Sequence, residues 1–101
     1  MSLSKFESML KTNSIYFFDL VEFEEIIVHY LDTGKHSLAK KAVKLGLEQH
    51  PTSVDLKLLD VEILIFDNKL EKASQKLMRI ELLAPANEEV YIQKATILSK
   101  N

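Results

Sequence analysis

Apolar residues fall at helical spacing through most of this chain. Phe23, Ile26, Ile27, Tyr30 and Leu31 recur every three or four residues, which lines one side of an α-helix. The same spacing returns in Leu38, Ala39, Ala42, Val43, Leu45 and Gly46, and again in Ala73, Leu77 and Ile80. Punctuation between these runs sets the bounds. Ser4 with Glu7 reads as a capping box for a first helix over 3–11, which Thr12-Asn13-Ser14 ends. Asp19 with Glu22 caps a second over 20–33, stopped by Gly34. A third spans 36–49 and Pro51 breaks it; Thr52 or Ser53 caps a fourth over 54–67. The turn Asp67-Asn68-Lys69 leads to a fifth over 70–83, Pro85 follows, and Asn87 caps a sixth over 88–100. Such short links force antiparallel neighbours.

Composition narrows the class. The 101 residues make one domain, long enough for a core without staples. Two glycines and two prolines are too few for an all-β sandwich or barrel. Cysteine is absent, which removes disulfides and thiolate metal sites. No apolar run reaches the length of a membrane span, and the first residues carry Glu7 and Asp19, unlike a signal peptide. The expectation is a soluble, cytoplasmic, all-α domain.

The breakers also repeat. Pro51 and Pro85 stand at the same offset as Ala39 and Ala73, Lys35 and Lys69, Ile63 and Ile97, and Leu64 and Leu98. Gly34 falls on Asn68, the next-best residue for a left-handed turn. A fixed period of this length is the mark of a helical solenoid. The pattern resembles the tetratricopeptide repeat. A first copy over 20–53 shows Phe23, Ile26, Ile27, Tyr30, Gly34, Ala39, Val43 and Pro51. Phe23 stands where that family prefers tryptophan, Ile27 where it prefers a small residue, and Gly46 where alanine is usual. A second copy over 54–87 matches through Val61, Leu64, Ala73, Leu77, Ile80 and Pro85, while Lys57 and Asp60 stand where large apolar residues are expected. Tyr91, Ala95 and Leu98 match the first helix of a third copy over 88–101. The resemblance implies about six helices in antiparallel pairs, wound as a right-handed α-α superhelix behind an N-terminal capping segment, 1–19. In that family the first helices line a concave groove. Carried over, its positions are Glu24, Val28 and Leu31, then Leu58, Glu62 and Ile65, then Ile92, Thr96 and Ser99.

Charge follows the same alternation. Residues 1–34 sum to −4 from Lys5 and Lys11 against Glu7, Asp19, Glu22, Glu24, Glu25 and Asp32. Residues 35–50 sum to +3 from Lys35, Lys40, Lys41 and Lys44 against Glu48. Residues 51–67 give −3 and 68–84 give +2, for a total of −2. First helices are thus acidic and second helices basic. Part of this is ordinary solvation and attraction between neighbouring helices. In the groove it would favour a basic or amphipathic partner peptide with apolar anchors. None of the nine positions carries the lysine, asparagine or arginine with which one subclass of the family grips a C-terminal carboxylate.

No catalytic pattern accompanies these features. His29 and Glu25 stand at i, i+4, a spacing more often a helix contact than a ligand pair. There is no glycine-rich phosphate loop and no nucleophile elbow. The expectation is a non-enzymatic protein–protein interaction scaffold without cofactor, metal, nucleic-acid or membrane partner. The alternative is a self-associating module, a homodimer through the last helix, 88–101. Ile15, Tyr16, Phe17 and Phe18 are expected to fold back as a cap over the first helix pair. Val90, Tyr91, Ile92, Ile97 and Leu98 are too many apolar residues for one free helix, so either further repeats follow or another chain covers them.

Overall fold

The computed structural model of the protein describes residues 3–100. They form six α-helices and, among the described residues, no strand. These are α1 (Leu3–Thr12), α2 (Leu20–Asp32), α3 (His36–Gln49), α4 (Val54–Phe66), α5 (Leu70–Leu83) and α6 (Glu88–Lys100). The protein is all-α, as its periodicity predicts. Helices α3, α5 and α6 have the expected bounds. Helices α2 and α4 stop one residue early because Thr33 and Asp67 are their C-caps. Helix α1 runs one residue further, and the Thr12 hydroxyl bonds back to Ser8 C=O at 2.9 Å. Ser4 lies inside α1 and not before it, so the expected Ser4–Glu7 capping box does not open that helix.

The remaining caps fall where the sequence places them. Asp19 and Glu22 form a capping box in which Asp19 N–H donates to Glu22 Oε1 at 2.9 Å. Of the two candidates before α4, Ser53 is the cap, its Oγ accepting from Leu56 N–H at 3.2 Å. Asn87 Oδ1 accepts from Glu89 N–H at 2.9 Å at the start of α6.

The sequence period is also a property of the backbone. The first residues of α2, α4 and α6 are 20, 54 and 88, and those of α3 and α5 are 36 and 70. Gly34 has φ 75° and Asn68 has φ 60°. Both close the same C-terminal motif. Gly34 N–H donates to Leu31 C=O at 3.2 Å and Lys35 N–H to Tyr30 C=O at 2.8 Å. Asn68 N–H donates to Ile65 C=O at 3.0 Å and Lys69 N–H to Leu64 C=O at 2.9 Å. This pair of bonds satisfies carbonyls that a helix end otherwise leaves unpaired, and it requires one left-handed residue. The C-caps of α3 and α5 also agree, His50 at φ −130°, ψ 68° and Ala84 at φ −142°, ψ 68°.

The chain divides into two compact units, Met1–Pro51 and Thr52–Asn101. In the first, α2 packs on α3. Phe23, Ile26, Ile27 and Tyr30 of α2 are fully buried. The facing helix contributes Ala39, Ala42, Val43 and Gly46, small residues that allow close approach; Leu38 and Leu45 are half-buried. An aromatic cluster ties the N-terminal segment down. The Phe6 ring lies 5.9 Å from Phe18 and 6.2 Å from Tyr30, and Phe18 lies 5.4 Å from Phe23. In the second unit α5 packs against both α4 and α6. The core there is Leu58, Val61, Leu64, Ile65, Ala73, Leu77, Ile80, Val90 and Ile97. Helix α4 buries six residues, Leu56, Leu58, Val61, Ile63, Leu64 and Ile65, which is more than one stripe. A helix apolar on most sides is one enclosed by its neighbours.

Candidate functional site

The nine expected groove residues meet different environments in the two units. On α2, Val28 is exposed, while Glu24 and Leu31 are half-buried. A shallow, open hollow on this helix is lined by Glu24, Glu25, Val28, His29 and Asp32. It combines acidic and imidazole side chains with one aliphatic contact. The His29 ring lies 5.8 Å from the Tyr30 ring, edge to face.

In the second unit the groove set separates. Leu58 and Ile65, 5% and 7% exposed, belong to the core and are not presented to a ligand. Glu62 and Ile92 are exposed. Thr96 is half-buried and Ser99 exposed, and their hydroxyls are turned inward to their own helix. Thr96 Oγ1–H donates to Ile92 C=O at 2.9 Å and Ser99 Oγ–H to Thr96 C=O at 2.8 Å. The groove side chains that remain directed outward in this unit are therefore Glu62 and Ile92.

The repeat-signature residues separate as well. Phe23, Tyr30, Ala39, Ala73 and Leu77 are buried. Pro51 and Pro85 are exposed after the C-caps of α3 and α5, and Gly34 is exposed at its turn. On α6, Tyr91, Ala95 and Leu98 are all exposed. Tyr91 is nonetheless fixed: its hydroxyl donates to Pro85 C=O at 2.8 Å, and the Lys94 ammonium lies 5.8 Å from its ring centre.

Several polar contacts carry no motif that points to them. Tyr30 Oη–H donates to Glu7 Oε2 at 2.9 Å, linking α1 to α2. Burial, then this hydrogen bond, then the carboxylate charge push the Tyr30 phenol up to about 12. Gln49 holds segment 16–18, its Oε1 accepting from Phe18 N–H at 3.0 Å and its Nε2–H donating to Tyr16 C=O at 2.7 Å. His50 Nε2 lies 2.7 Å from Phe18 C=O, and its ring is 5.4 Å from Phe17 and 5.8 Å from Phe23. Of the apolar run 15–18, Phe18 is fully buried, while Ile15 and Phe17 are exposed. Gln93 is buried and its Nε2–H donates to Leu58 C=O at 3.0 Å. Its place in the stripe Val90, Gln93, Ile97 is the one available signal.

Among the described residues, no group of three or more His, Asp or Glu side chains could hold a metal ion. None of the helices is long and apolar enough to cross a membrane. No family model matches the chain, and neither a curated protein nor a solved structure does.

Proposed function

We propose that the chain is a non-catalytic interaction scaffold of the tetratricopeptide-repeat kind, which binds a basic, amphipathic peptide or helix along its first helices. The observation that carries this reading is the repetition, at one fixed offset, of helix starts, cap geometry and left-handed turns. It is supported by the acidic hollow on α2, where Val28 offers an apolar contact among Glu24, Glu25 and Asp32. A lysine or arginine stem laid on Val28 would bring its charge to these carboxylates. In the second unit the exposed groove positions are one acidic, Glu62, and one apolar, Ile92.

The test is a titration of isotope-labelled chain with two peptides, one basic and amphipathic, the other ending in an acidic C-terminal run. Amide shifts should follow the basic peptide and centre on Val28, Leu31, Glu62 and Ile92. The variant V28K, which removes the apolar contact and places a cation among the carboxylates of the hollow, should weaken binding about tenfold while leaving helicity unchanged. Preference for the acidic peptide, or shifts confined to α3 and α5, would overturn the reading.

A further inference from the structure

Between α1 and α2 the chain alternates as a strand does. Ile15 is exposed, Tyr16 half-buried, Phe17 exposed, Phe18 fully buried and Asp19 exposed. The neighbour along one edge of this segment is a side chain. The Gln49 carboxamide donates to Tyr16 C=O at 2.7 Å and accepts from Phe18 N–H at 3.0 Å. One amide bonded in this sense to residues two apart is how a backbone residue joins a parallel ladder. His50 Nε2, 2.7 Å from Phe18 C=O, extends the same edge, and Tyr16 N–H lies 3.2 Å from Met9 Sδ. The backbone groups of Tyr16 and Phe18 are thus all engaged by the chain itself. Those of the residues between them leave a strand on the opposite edge. Among the described residues, the N–H and C=O groups of Ile15 and Phe17 make no hydrogen bond. Their side chains are 91% and 66% exposed. The segment is therefore one strand with a paired edge and an open edge, and an open edge is a template for a further strand.

This edge fits itself. Two copies can be set antiparallel with the two-fold axis at Tyr16. Ile15 then faces Phe17 of the second copy, and Phe17 faces Ile15 of the second copy, each as a hydrogen-bonded pair. The two Tyr16 residues form the non-bonded pair between them. Every free N–H meets a free C=O. Side chains agree with this register. Ile15 and Phe17 stand on the same face, so each β-branched residue lies beside an aromatic one, a favourable cross-strand pair. One step further out Asn13 faces Asp19, so no like charges oppose each other. Other registers use the edge less well. With Phe17 on Phe17, Ile15 meets Asp19, whose N–H already donates to Glu22. With Ile15 on Ile15, Phe17 meets Asn13, whose φ of 57° is not that of a strand.

We propose that this edge is the contact between two copies of the chain, an isologous dimer in which residues 15–17 pair antiparallel as a two-stranded ladder. The proposal stands independently of peptide binding along the first helices. So short a ladder falls well below a standard interface of about 1,600 Å², which sets the expected dissociation constant on the order of 100 μM.

Sedimentation equilibrium of the full chain between about 10 μM and 1 mM, which brackets that value, should show a reversible dimer. An isotope-filtered spectrum of mixed labelled and unlabelled chain should show a contact between the Tyr16 Hα atoms of the two copies, because a non-bonded antiparallel pair brings Cα atoms to about 4.5 Å. I15E and F17K alter exposed positions and should keep the wild-type helical spectrum while each weakens the dimer about tenfold. I15E/F17K, which sets opposite charges across both pairs, should recover most of that loss. A chain still monomeric at the highest concentration overturns the proposal, as does a dimer without the Tyr16 contact or a double variant no tighter than either single one. So does a monomer whose Ile15 and Phe17 amides shift on adding a peptide of alternating threonine and valine, since the edge would then serve an unrelated strand and not a copy of itself.

Discussion

Replacing Gly34 by alanine isolates the turn on which the period depends. Gly34 sits at φ 75°, and a Cβ built there would meet nothing within 4 Å. The cost of the substitution therefore has no packing component. An L-residue held in the left-handed region costs about 1–2 kcal/mol. Against this, removing a glycine from the unfolded chain recovers about 0.4–1 kcal/mol. The expected net loss is about 1 kcal/mol, with both turn bonds from Gly34 and Lys35 still made. The equivalent position provides the control. Asn68 holds φ 60° with a side chain in place, so G34N should be nearly neutral and N68A should lose about as much as G34A. Urea unfolding followed by circular dichroism resolves such differences, and for a chain of this size about 1 kcal/mol corresponds to roughly 4–8 °C in Tm. A G34A protein as stable as the wild type would refute the assignment of a left-handed turn. A G34A and N68A pair differing by more than about 1 kcal/mol would refute the equivalence of the two turns, because both carry the same backbone cost.

Other substitutions examine packing, ionisation and the N-terminal tie. Ala39→Leu and Ala73→Leu overfill fully buried sites at the helix contacts and should each cost about 1–3 kcal/mol, while Ala95→Leu, on an exposed face, should fall within about 0.5 kcal/mol of wild type in urea melts at low protein concentration. Tyr30 keeps its proton to about 12 in the folded chain, against about 10 when unfolded. Its contribution is thus complete below pH 10 and declines as pH rises towards 12, by about 2–3 kcal/mol in all; Y30F should lack this component, and identical alkaline profiles for the two proteins would refute it. Gln49→Ala removes both bonds to segment 16–18 and should cost about 1–3 kcal/mol, with hydrogen exchange at the Phe18 amide accelerating more than at amides of α2.

Much of this architecture is legible in the sequence because it is local. Helix ends are written in single residues: Gly34 and Asn68 at the left-handed turns, Asp19, Ser53 and Asn87 before helices, Pro51 and Pro85 after them. The buried stripes of α2, α3 and α5 follow from three- and four-residue spacing alone. Misreadings arise where a residue's role depends on a neighbour distant in sequence. Glu7 reads as half of a capping box, but its carboxylate accepts from Tyr30. Leu58 and Ile65 read as groove lining, but the core of the second unit takes them up. Thr96 and Ser99 also read as groove positions, and in each the hydroxyl donates to a carbonyl within its own helix. No spacing rule anticipates that Gln49 reaches back across α3 and α2 in sequence to hold Phe18.

The second repeat shows why backbone and side-chain patterns can part company. Lys57 and Asp60 stand where the resemblance expects large apolar residues, yet α4 has the same length as α2 and starts one full period after it. The substitution is absorbed in two ways. Asp60 meets Lys76 of α5 at 2.6 Å, a partly buried charge pair in place of an apolar contact. Helix α4 also carries Leu56, Leu58 and Ile63 buried alongside its expected stripe. A helix enclosed on several sides can give up apolar residues on one of them, because its burial does not depend on that face alone. Helix α6 presents the opposite case. Its backbone obeys the period and Tyr91, Ala95 and Leu98 occupy the expected positions, yet among the described residues no helix lies over them. Backbone periodicity therefore cannot be taken as a guarantee of burial. It fixes where an apolar row will stand, and whether that row is core or contact surface depends on what is packed against it.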